Sequence, residues 1–237
     1  MNLKLCARDA IKTVNRKDVV IVIDVLRFSS SLLSAFVNGA KEVIPTKSLG
    51  EAFKIRKQHP DYLLAGERGG LKPHGFDLGN SPLEFRESVV KGKTLIFSTT
   101  SGTRTLVSVK SNNWVLIGGL LNAQTVGIKA FEIARKENVD VCIVLSGKKG
   151  TFSLEDFLGA GAIISSLPIN KINLSDAGIA SLIAFKQVEN SLFETISLGE
   201  HARSLAKLGF DNDIKFSCML NCSEIAPIYK DGVIKIQ

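Results

Sequence analysis

The run Val19–Val25, VVIVIDV, is apolar at almost every position. A strand with one wet face alternates polar and apolar residues. An unbroken β-branched run belongs to a strand covered on both faces, the situation of a parallel sheet between helical layers. The same unit recurs along the chain. Short runs at 42–45, 62–65, 94–98, 114–117 and 139–145 read as strands, and 48–59 and 122–137 as helices. Ser29, Ser30 and Ser31 offer N-cap hydroxyls to a helix through Leu32–Val37 that stops at Asn38-Gly39. Further helices are expected from Ser81-Pro82 and from about Ser153. The last sixty residues read as mostly helical, with a closing hairpin around Asp231-Gly232. The expectation is an α/β fold, a three-layer sandwich with a largely parallel sheet. It forms one domain over residues 1–237, whose portion from about 170 is mostly helical.

Composition narrows the function classes. In 237 residues, 45% are apolar, so a large core is affordable and intrinsic disorder is excluded. No stretch approaches the roughly 18–20 apolar residues of a membrane span, and charges interrupt the start where a signal peptide needs its apolar segment. Four cysteines make no disulfide scaffold, so a cytoplasmic location is expected. The formal charge of +7 suits an anionic partner, but the basic residues are scattered and not interleaved with aromatics. A small anionic ligand is therefore expected rather than nucleic acid or a membrane. A homodimer is left open.

Chemistry-bearing residues gather where strands end. Asp24-Val25-Leu26-Arg27, Gly66-Glu67-Arg68, Ser98–Arg104 and Ser146–Asp156 each follow a strand. Ligands of open α/β sheets bind outside the carboxyl ends of strands. Residues 66–82, with five glycines and two prolines, form a long loop of the kind that is commonly functional. Arg27, Arg68, Arg104 and Lys148 can hold an oxyanion, as can the hydroxyls and N–H groups of Thr100, Gly102 and Thr103. Asp24, Glu67, Asp77, Glu155 and Asp156 would repel such an anion unless a cation lies between them, which points to Mg²⁺ and phosphoryl chemistry. Each feature also has a plain structural reading as a helix cap, a surface ion pair or an acidic first turn. His74, in the loop, is a candidate acid but more ordinarily a solvated side chain. Cys218 and Cys222 would share a face if helical, yet no second pair gives zinc spacing.

The segments VVIVIDVLRFSSS, LLAGERGGLKPHGFDLGNSPLEF, GKTLIFSTTSGTRTL and LSGKKGTFSLEDFLGAGAII together resemble the 2-phosphosulfolactate phosphatase family, from about Val19 to Ile164. The resemblance implies a cytoplasmic, Mg²⁺-dependent enzyme of coenzyme M biosynthesis that hydrolyses 2-phosphosulfolactate to sulfolactate and phosphate. Asp24, Arg27, Glu67, Arg68, Asp77, Asn80, Thr100, Gly102, Thr103, Arg104, Glu155 and Asp156 fall on its motif positions. By chemistry, Asp24 and Asp156, and less directly Asp77, are the expected metal ligands. Glu67 or Glu155 is the expected base, and Asp24 an alternative nucleophile. Arg27, Arg68, Asn80, Thr100, Gly102, Thr103, Arg104 and Lys148 are the expected substrate contacts. Lys148 stands in a turn where the family has an arginine, losing the bidentate fork. The alternatives are a non-catalytic anion-binding protein on the same scaffold, or a phosphatase for another small phosphomonoester.

Overall fold

A computed structural model describes residues 1–6, 14–109, 113–148 and 150–236. Among them, nine strands form one sheet: β1 (Asn2–Lys4), β2 (Val19–Ile23), β3 (Glu42–Thr46), β4 (Leu63–Gly66), β5 (Thr94–Ser98), β6 (Trp114–Gly118), β7 (Val141–Leu145), β8 (Ile228–Lys230) and β9 (Val233–Lys235). Their spatial order is β1-β7-β2-β6-β8-β9-β3-β5-β4. Pairing is parallel within β1-β7-β2-β6 and within β3-β5-β4. The closing hairpin is antiparallel to its neighbours and joins the two blocks. The sequence announces this hairpin but not its place in the middle of the sheet. The edge strand β1, only three residues long, carries no readable pattern.

Strand registers divide the side chains into layers. Val20 and Val22 of β2, Val115 and Ile117 of β6, and Leu95 and Phe97 of β5 share one face. It packs under Phe28, Leu32 and Phe36 of α1 (Phe28–Val37) and Leu106 of α4 (Gly102–Ser108). The opposite face of β2, β6 and β7 meets α5 (Ala123–Glu137) and α6 (Leu154–Ser165). At the β4–β5 end, Leu64 and Ile96 lie against Ala52 of α2 (Leu49–Gln58). The expected three-layer α/β architecture is present, and burying β2 on both faces is what its continuous apolar run demanded.

The sheet is strongly curled. Five ladder steps separate β2 from β5, about 24 Å in a flat sheet. Yet a Cβ on Gly102, just after β5, would lie 2.5 Å from Asp24 Oδ2, just after β2. Twist of about 20–25° per strand, accumulated across the short hairpin, swings the two blocks until their carboxyl ends meet. Tertiary geometry alone produces this convergence.

Helix ends show where local chemistry is overruled. Ser48 caps α2 by accepting from Glu51 N at 3.2 Å, as Ser/Thr caps do. The three serines after β2 do not cap α1, which already begins at Phe28. Asp24 Oδ1 accepts from Phe28 N instead, at 3.2 Å. The serine hydroxyls reach the loops around them, with Ser30 donating to Val25 O at 2.9 Å and Ser31 to Asn80 O at 2.7 Å. The helix expected from Ser81-Pro82 is only a 3₁₀ turn, Pro82–Glu84, followed by the one-turn α3, Glu87–Val90. The C-terminal portion contains α7 (Asp176–Val188), α8 (Leu192–Ser197), α9 (Glu200–Ala206) and α10 (Asp211–Ser217). Helix α7 packs so closely on α6 that a Cβ on Gly161 would collide with Ser181 O. Because α10 stops at Ser217, Cys218 and Cys222 do not share a helical face. Among the described residues, no helix is long and apolar enough to cross a membrane.

Candidate active site

A cleft of about 320 Å³ opens where the two blocks converge. One wall consists of Asp24, Glu67, Asn80, Thr100 and Ser101, from the ends of β2, β4 and β5 and the glycine-rich loop. The facing wall is built by Lys148, after β7, and by His201, Ser204, Leu205 and Leu208. The latter four follow the i, i+3, i+4, i+7 spacing of one helical face that begins in α9. Arg27 and Gly70 close one side.

The acidic residues converge but do different things. Asp24 is 6% exposed, and its Oδ2 is the atom that a side chain at position 102 would strike. Gly102 therefore lets the start of α4 approach the carboxylate, a packing role for a residue expected to bind substrate. Burial pushes the Asp24 carboxyl up to about 6, with Glu67 and Glu155 adding to the rise and His201 opposing it. Glu67 is tied at both oxygens, accepting from Thr100 N at 2.6 Å and Gly70 N at 2.9 Å. It joins the glycine loop to the turn after β5. Asp156 is tied likewise, by Val25 N at 2.8 Å and Gly147 N at 2.9 Å. Burial, then the charges of Glu155 and Asp24, hold its carboxyl well above the usual range. Glu155, 1% exposed, meets His201 Nδ1 at 2.8 Å.

The Glu67 tether yields a direct prediction. Glu67→Ala strands the N–H groups of Gly70 and Thr100, at an expected cost of about 1–3 kcal/mol. Trypsin should then cut after Arg68 markedly faster in the native protein. Proteolysis at the wild-type rate would show that the loop holds without the carboxylate.

The basic side chains are mostly engaged. Arg27, 2% exposed, pairs with Asp213 Oδ2 at 2.6 Å, donates to Gly70 O at 2.6 Å and covers the Phe210 ring at 4.0 Å. Arg68 lies outside the cleft lining and donates to Ser98 Oγ at 2.9 Å and Ser98 O at 3.1 Å. Arg104 is exposed and reaches Lys47 O at 3.3 Å. Lys148 faces the cleft, bonded to Ser204 Oγ at 2.9 Å. Thr103 is consumed locally, exchanging hydrogen bonds of 2.9 Å with Thr99. Asp77, in the glycine-rich loop, lies against β4, accepting from Leu64 N at 2.7 Å and paired with Arg56 at 2.8 Å, outside the cleft lining. His74 is exposed. Burial pushes the Cys142 and Cys218 thiols up to about 12, which leaves neither as a nucleophile.

Two cleft residues keep unused polar atoms. Asn80 Oδ1 and Thr100 Oγ1 are buried and have no hydrogen-bond partner among the described residues. Buried polar atoms are rarely left so, and a ligand-binding wall is one place where they are. Sequence reasoning found these two. It missed His201 and Ser204, whose helix carries no motif and reaches the cleft only through the fold, and Asp213, which pairs with Arg27 behind the lining.

The comparisons with known proteins follow the same outline. The family model for 2-phosphosulpholactate phosphatase matches residues 6–232. A protein of Caldanaerobacter subterraneus named probable 2-phosphosulfolactate phosphatase is 41% identical over 230 residues, covering 94% of each chain. Proteins of the same name from Thermotoga maritima and Clostridium tetani are 39% and 36% identical. The first alignment covers 90% of this chain and 89% of its relative, the second 99% and 100%. A match over nearly the whole length, shared with relatives that are themselves almost fully covered, means that this chain belongs to the 2-phosphosulfolactate phosphatase family.

Proposed function

We propose that the protein is a Mg²⁺-dependent phosphatase that hydrolyses 2-phosphosulfolactate to sulfolactate and inorganic phosphate, acting in the cytoplasm toward coenzyme M. The observation that carries this reading is the polar wall of the cleft. A buried carboxylate with one oxygen crowded against the start of α4 stands beside two unpartnered polar atoms. The names of the relatives supply the substrate.

The donor set fits a hard cation only in a restricted form. Among the described residues, no three acidic, His or Cys side chains are grouped as a metal site. Mg²⁺ does not need three, because it keeps several waters and takes one or two carboxylates plus phosphate oxygens. Asp24 would hold it. Asp156 is held at both oxygens by backbone N–H groups, and Asp77 lies elsewhere. Both were expected ligands, and the hydrogen bonds favour Asp24 over either. Bound there, the ion would neutralise phosphoryl charge beside Asp24 and Glu67. The residues themselves position the substrate. Asn80 and Thr100 take the phosphoryl group, while Lys148 with Ser204 takes the carboxylate and sulfonate of the organic part. Arg27, neutralised by Asp213, closes one side of the cleft rather than clamping an anion.

Removing metal tests this. Dialysis against EDTA should lower phosphate release from 2-phosphosulfolactate by at least about 100-fold, with full recovery on adding Mg²⁺. Release undiminished in EDTA rejects the metal, and tight binding without turnover at saturating Mg²⁺ leaves an anion-binding protein.

A further inference from the structure

His201 occupies a place that the family motifs do not mark. It lies outside the four segments that carry the family resemblance, on α9, and lines the same cleft as Asp24. Its Nδ1 lies 2.8 Å from Glu155 Oε1, and the Glu155 side chain is 2% exposed. A carboxylate only accepts, so the Nδ1–H donates to it. That bond fixes the tautomer and the ring plane and leaves Nε2 as the working nitrogen. The His201 side chain is itself 24% exposed and lines the cleft. An imidazole held by a buried carboxylate and open on its other edge is the arrangement of a proton carrier.

The two walls say which proton it carries. Asp24, Asn80 and Thr100 take the phosphoryl group on one wall. Lys148, Ser204 and Leu205 line the other, where the proposed function seats the organic acid. The ester oxygen joins those two parts and must lie between the walls. Resting on the phosphatase reading above, we infer that His201 is the general acid that protonates the departing ester oxygen, with Glu155 as its positioning residue. His201 acts as the imidazolium, with Nδ1–H held by Glu155 and a second proton on Nε2. As the phosphorus–ester oxygen bond breaks and a bond from phosphorus to the water oxygen forms, the Nε2 proton passes to the leaving oxygen and completes the hydroxyl of sulfolactate. One water proton stays on the phosphate product. The other returns through solvent to the imidazole, so no oxidant or further reactant is required.

The test is a leaving-group series. The wild type, His201→Gln and Glu155→Gln are assayed with phosphomonoesters running from alkyl phosphates to p-nitrophenyl phosphate, and log kcat/KM is plotted against the acidity of the leaving alcohol. An alkoxide needs the proton and p-nitrophenolate does not. His201→Gln should therefore lose about 10²–10³-fold on alkyl substrates, including 2-phosphosulfolactate, and under about tenfold on p-nitrophenyl phosphate. Its plot becomes steeper than the wild-type plot. Glu155→Gln should steepen the plot less, because the ring remains but its hold on Nδ1 weakens. Parallel plots, with equal losses on every ester or none, overturn the assignment while leaving the phosphatase reading intact. A wild type that releases no phosphate from any ester rejects that reading instead, and the inference with it. Thermal midpoints of both variants verify the fold. If one variant unfolds, the other alone still decides, since a general loss of structure lowers all substrates together.

Discussion

Asp24→Asn is expected to abolish phosphate release at saturating Mg²⁺ and, in metal-free buffer at pH 7, to raise the unfolding temperature by several degrees. Both effects come from the same burial. The carboxyl is enclosed where its charge is poorly solvated, so its folded value lies near 6 against an ordinary 3.8. The folded state therefore holds the proton more tightly than the unfolded chain. At pH below about 4 both states are protonated and the group contributes nothing. As pH rises to about 6, stability falls, and above that the loss is constant. Its full size is up to about 3 kcal/mol. Asparagine keeps an oxygen for Phe28 N but carries no charge, so the loss disappears. Thermal melts of both proteins in EDTA from pH 4 to 8 should converge at the acid end and separate on the alkaline side, alongside a phosphate-release assay. An active Asp24→Asn protein would remove Asp24 from the mechanism. A variant no more stable at pH 7 than at pH 4, relative to wild type, would show the carboxylate to be well solvated.

Asp213→Asn should cost about 3–5 kcal/mol in urea unfolding, far more than an ordinary surface ion pair. The pair it breaks is almost sealed, with Arg27 and Asp213 only 2% and 3% exposed. Asp213 also accepts from Ser81 Oγ at 2.6 Å, and Arg27 from its other nitrogen reaches Gly70 O. One charge pair thereby fastens the start of α1, the glycine loop, the Ser81 turn and α10. Asp213→Asn leaves an uncompensated guanidinium inside. Arg27→Met combined with Asp213→Leu removes both charges at similar volume, and should recover much of the lost stability. A cost below about 1 kcal/mol for Asp213→Asn would mean that water reaches the pair in solution.

Much of the fold was legible because its signals are local. The apolar run of β2 states that both faces are covered, whatever covers them. The helix over Leu49–Gln58 and the strand over Thr94–Ser98 follow from a cap and a β-branched run within a few residues. The serines after β2 misled for a physical reason. A hydroxyl can cap only if the helix starts after it, and Asp24, already turned inward by the cleft, had taken that N–H. The cleft was half legible. Asp24, Glu67, Thr100 and Lys148 lie in motifs at strand ends and Asn80 in the glycine-rich loop, and all of them line it. Asp77, Arg68 and Arg104 lie in the same motifs, yet each is spent on a neighbouring strand end or loop.

The amino-acid order alone determined the layers, the strand ends where polar residues collect, and the family, since these depend on spacing along the chain. Tertiary structure decided which of those polar groups share one cleft. Two parallel blocks joined by a late antiparallel hairpin must curl before Asp24 can meet the start of α4. A helix about 180 residues downstream must dock before His201 can line the same cleft as Asp24. Side-chain direction depends on twist and packing across the whole sheet, and neither is written in any single stretch of chain.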